Sequence, residues 1–155
     1  MNIVWLYLDK KTATVNAIKD FDKMKYILEH TDEEIAKVRE GMEDIGSPNT
    51  AGVPSGSHNP HSGEEKVVNG IDEIDVLKER YRQAKEYMDW FLPAWNELSE
   101  NDRFVLSTFY DSSNEYGSGS ADLIAEYYGI ERSSAYRKKE RALDNLRTLL
   151  FGRWC

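Results

Sequence analysis

Three groups of side chains in this 155-residue chain combine residue types and spacings that chemistry can use. His58 and His61 have the H-x-x-H spacing that can hold a metal ion. The runs Asp32-Glu33-Glu34 and Asp72-Glu73-Asp75 bring carboxylates close enough in sequence for paired acid and base work. The third group is Arg132, Ser133, Ser134, Tyr136, Arg137, Lys138 and Arg141, where hydroxyls and cations are mixed over nearly three helical turns. Phosphate oxygens and base edges ask for that mixture.

The first two groups lack the partners their chemistry needs. No cysteine lies near His58 and His61, and no carboxylate follows them before Glu64. The one cysteine, Cys155, is terminal, so neither an internal disulfide nor a Cys-paired zinc site is expected. The carboxylate runs read as solvated helix faces, and His30 as a spectator on a helix. With no Ser/His/Asp order, no G-x-S-x-G and no Gly-rich phosphate loop, neither an enzyme nor a cofactor or metal is expected.

Charge singles out the third group. The formal net charge is -8. Residues 99–131 carry one Lys or Arg against seven Asp or Glu, whereas residues 132–155 carry seven against two. So abrupt a reversal marks the carboxyl-terminal segment as the part that meets an anionic partner. The acidic remainder would either repel DNA everywhere else and orient docking through this segment, or merely keep the protein in solution.

The elements that must position these residues are helical. Residues 18–45 place Ile18, Phe21, Lys25, Leu28, Ile35, Val38, Met42 and Ile45 on three- and four-residue steps, with Asp32 filling one slot and 21, 28, 35 and 42 in one heptad register. Thr31-Asp32-Glu33-Glu34 offers a capping box that could break this helix in two. Residues 65–92 carry a matching stripe from Val67 to Phe91, and Pro93 is expected to end or kink it. Between them, residues 46–63 hold three of the four prolines and read as a long flexible loop. The pair is expected to form an antiparallel hairpin, with Tyr87, Trp90, Phe91 and Trp95 in its core and Trp5 and Tyr7 in a short strand or arm packed on it.

Three shorter helices follow. Ser99 to Asp102 has the capping-box spacing, Asp111 to Gly119 is a loop, Ser120 to Tyr128 is a short helix, and Arg132 opens the last one. Ala125, Gly129 and Ile130 are the small residue, the turn glycine and the apolar residue of a helix-turn-helix, with Ala135 keeping its second helix close. Ser133 and Ser134 at that helix start suit phosphates, Arg137 a guanine, and Tyr136 stacking or a thymine methyl.

The segments LSENDRFVLSTFY and ADLIAEYYGIERSSAYRKKERALDNLRTLL resemble region 4 of the sigma-70 factors. Together with the Ser/Pro/Gly loop SPNTAGVPSGSHNP and the helix IDEIDVLKERYRQAKEYMDWF, the chain is similar to phage and prophage transcriptional regulators of the ArpU/RinA type. That resemblance implies a regulator that reads DNA through the helix starting at Ser133 and works with a host RNA polymerase, since no counterpart of sigma region 2 is present. Lys138 departs from it, standing where sigma recognition helices place an apolar residue.

The expectation is therefore an all-α protein, with a helical hairpin over residues 1–97 and a helix-turn-helix over 98–155, that binds double-stranded DNA, with a homodimer as a further candidate assembly. A phage small terminase subunit and a helical protein-interaction adaptor are the competing readings. The longest apolar run, Ile3 to Leu8, falls far short of the ~20 residues of a membrane span and lacks signal-peptide flanks, so no membrane partner and a cytoplasmic setting in a bacterial host are expected.

Overall fold

The computed structural model describes residues 8–43, 62–110 and 119–152. Its elements are five helices: α1 (Lys10–Glu43), α2 (Ser62–Glu97), α3 (Glu100–Tyr110), α4 (Ser120–Tyr128) and α5 (Arg132–Phe151). Among the described residues there is no strand, and no helix is long and apolar enough to cross a membrane. The arm around Trp5 and Tyr7, His58, His61, Cys155, and residues 46–61 and 111–118 of the loops expected over 46–63 and 111–119 lie outside the described residues, while Ser62 and Gly63, expected in the first loop, instead open α2.

Three expectations about the long helices change. α1 begins at Lys10, well before residue 18, because Asp9 caps it. The Asp9 carboxylate accepts the Lys11 and Thr12 amides at 3.1 and 3.2 Å and the Thr12 hydroxyl at 2.6 Å. Those hydrogen bonds, the Thr12 hydroxyl first, hold its pKa below the ordinary carboxylate value. α1 is also unbroken at Thr31: this buried hydroxyl donates to the Ile27 carbonyl one turn back instead of capping a new helix. Finally, α2 continues through Pro93 to Glu97. Proline removes a single amide donor at an exposed position, while Phe91, Ala94 and Leu98 on the buried side hold the helix in place.

The chain divides into two compact units, Met1–Lys23 with Tyr87–Cys155, and Met24–Glu86. The first draws on segments from both sides of residue 97. Its main core joins Ala17 and Ile18 of α1, Phe91 and Ala94 of α2, Leu106 of α3, and Ala142, Leu143, Leu146 and Leu150 of α5. Phe91, Leu106 and Leu146 are essentially inaccessible, and each contributes roughly 1.5–3 kcal/mol by leaving water. Tyr87 donates a hydrogen bond to the Ala17 carbonyl, and its ring stacks on Phe91 at 5.3 Å. Tyr87 and Trp95 are half-buried around this core, but Trp90 is exposed and meets Phe151 edge-on at 5.6 Å. A smaller core of Val105, Ala121, Ile124 and Ala135 ties α3, α4 and α5 together.

In the second unit Ile35 of α1 packs with Ile74 and Leu77 of α2, flanked by Val38 and Met42. Met42 lies so close to Gly70 that a Cβ there would come within 2.5 Å of its Sδ. Thr31 and Ile35 share a hollow with Lys78 and Tyr81. Numbers rise along one helix as they fall along the other, so their directions oppose.

Candidate nucleic-acid interface

The turn between α4 and α5 sets the geometry of the basic segment. Gly129 adopts φ 62° and ψ 40°, a left-handed conformation that only glycine enters at little cost. Its amide donates to the Glu126 carbonyl at 3.3 Å, and the Ile130 amide to the Ala125 carbonyl at 2.9 Å. This pairing is a Schellman motif, which ends α4 and reverses the chain within two residues. Ile130 is half-buried against the smaller core, and Ala135 is wholly buried in it, so no larger side chain fits where α5 passes α3 and α4.

α5 buries Ala135, Ala142, Leu143, Leu146 and Leu150. At 3.6 residues per turn the opposite face carries Ser133, Arg137 and Arg141, all exposed, with Ser134 beside them. Arg137 and Arg141 form no ion pair among the described residues. The acidic residues of the same helix are themselves paired: Glu140, just before Arg141, binds Lys11 at 2.6 Å, and Asp144, after it, binds Arg147 at 3.2 Å. The accessible cationic face is therefore confined to the first three turns.

The remaining residues of the expected set have other engagements. Arg132 lies 3.6 Å from Asp122 of α4 and hydrogen-bonds Tyr136, contacts that raise its pKa, the Tyr136 bond first. Lys138 is half-buried, with Nζ 4.4 Å from the Tyr128 ring centroid, a cation–π contact that holds α5 to α4. A half-buried lysine is accommodated there because its charge rests on a ring. Tyr136 is exposed on one edge and meets Phe109 at 5.8 Å. The Ser134 amide is not open to a phosphate, because it donates to the Glu131 carbonyl at 2.9 Å. Of the two serines, Ser133 is the one fully at the surface.

Lys139 was not among the expected residues. It is half-buried, 5.4 Å from the ring centroids of both Phe109 and Tyr136 and 3.6 Å from Glu140. The available signal was its place four residues after Ala135, on the side of α5 that faces α3. Comparison of the chain with protein-family models, with curated proteins and with solved structures returns no match.

Proposed function

We propose that the chain is a sequence-specific DNA-binding transcriptional regulator of phage or prophage origin. In this reading α1 and α2 form a helical hairpin, and α3 to α5 form a sigma-region-4-like helix-turn-helix that enters the major groove. One observation carries it: the glycine turn at Gly129 and the buried Ala135 leave Ser133, Arg137 and Arg141 together on the one outward face of α5. Arg137 contacts a guanine edge, while Arg141 and Ser133 contact phosphates. Arg132 and Lys138 act at one remove, anchoring α5 to α4.

The protein is a binding protein, not an enzyme, and acts in the host cytoplasm with the host RNA polymerase. A dimer would bind two half-sites spaced by its own symmetry. The test is a footprint on DNA from the protein's own genomic neighbourhood, titrated against salt. A protected site whose affinity falls steeply with salt supports the proposal. No protection, or binding indifferent to salt, favours a protein-interaction adaptor, and a ring-sized oligomer protecting packaging DNA favours a small terminase subunit.

A further inference from the structure

The first unit contains a hollow with no part in the interface above. Its volume is about 290 Å³, near the lower end of small-molecule sites. Phe21 of α1, Phe91 and Trp95 of α2, and Tyr110 of α3 line it, with two polar groups at its wall, Asp22 and Ser107. Phe21 meets Phe91 at 5.9 Å and 43°, and Phe91 stacks on Trp95 at 5.6 Å, so the rings form one continuous aromatic wall. Among the described residues, no lysine, arginine or histidine lines it.

Aromatic rings with a carboxylate and no competing cation favour one class of ligand. Ring faces carry negative electrostatic potential and attract cations, most strongly cations too weakly hydrated to prefer water. Asp22 adds a full negative charge beside them. Burial first, then Glu140, raises the pKa of Tyr110 at the wall. The Tyr110 hydroxyl therefore keeps its proton at neutral pH and faces the hollow as a neutral partner, whereas that of Tyr87 is engaged with the Ala17 carbonyl.

We propose that this hollow binds a small organic cation with an alkylated ammonium head, the head resting among Phe21, Trp95 and Tyr110 and paired with Asp22. The ligand would bridge α1 and α2 to α3. The proposal does not depend on DNA binding.

The full chain, labelled with ¹⁵N, is titrated with choline and separately with 3,3-dimethyl-1-butanol, its uncharged isostere, at constant ionic strength. Choline is expected to shift the amides of Phe21, Trp95 and Tyr110 saturably, the neutral isostere much more weakly. Asp22 is exposed, so Asp22→Asn should fold normally and weaken choline roughly tenfold, while Asp22→Glu retains binding. The proposal is overturned if choline produces no saturable shift, if the isostere binds as tightly, or if Asp22→Asn leaves the affinity unchanged.

Discussion

Cations of one helix do different work according to what lies beneath them. Arg137 and Lys138 are neighbours, yet the first is exposed and the second rests on Tyr128. Under the DNA-binding reading, Arg137→Ala should cost about 1–3 kcal/mol on the cognate site and relax base preference at one position. Lys138→Ala should lower the thermal midpoint slightly, by no more than about 1 kcal/mol of stability, and leave base preference unchanged. Binding-site selection with each variant separates the two roles. If Arg137→Ala weakens every sequence equally, that arginine contacts a phosphate. If Lys138→Ala alters base preference, the lysine reaches the groove itself.

Helix ends respond to backbone geometry and to pH. An L residue held left-handed at position 129 costs roughly 1–2 kcal/mol, more when β-branched. Nothing lies within 4 Å of a Cβ built at Gly129, so that strain is the whole effect. Gly129→Val should therefore destabilise more than Gly129→Ala, and Gly129→Asn least, as read by thermal denaturation. Equal midpoints for the three would mean the turn relaxes to another conformation. At the start of α1, the Asp9 pKa is lowered on folding. Its contribution is thus complete above the unfolded carboxylate pKa and disappears as pH falls through the depressed folded value. Backbone chemical shifts of Lys11 and Thr12 should report loss of the cap in acid, and Asp9→Ala should abolish that transition.

The whole molecule is acidic, with a formal net charge of -8, so under the DNA-binding reading attraction to DNA must be local. With about three or four phosphates neutralised per chain, log K should fall against log salt with a slope of about -2.7 to -3.6. A slope near zero would remove the electrostatic basis of the proposal. Folding is shared across the chain as well. Leu143, Leu146 and Leu150 pack with Ala17, Ile18, Phe91 and Ala94. A fragment spanning 98–155 would lose those partners and should melt without cooperativity, whereas the full chain should show a sharp transition. Leu146→Ala in the full chain should cost about 2–5 kcal/mol in chemical denaturation. A cooperative, stable fragment would show that α3 to α5 are self-sufficient.

The short helices were readable from local chemistry. The Ser99 hydroxyl accepts the Asp102 amide at 3.1 Å, and the glycine after Tyr128 and the apolar spacing of α5 all act within a few residues. The basic face was equally visible as a run of residue types. What a sequence could not decide was whether a local signal wins against its surroundings. Thr31 has the pattern of a cap and Pro93 that of a stop, but buried packing on both sides carries each helix through. Nor could it sort exposed from engaged cations, because that depends on which rings α3 and α4 bring beneath α5. The aromatic hollow is the clearest case: Phe21, Phe91 and Tyr110 are far apart in the chain, and only folding places them around one space. Backbone conformation and capping are set by near neighbours, whereas burial and charge environment belong to residues that meet through space.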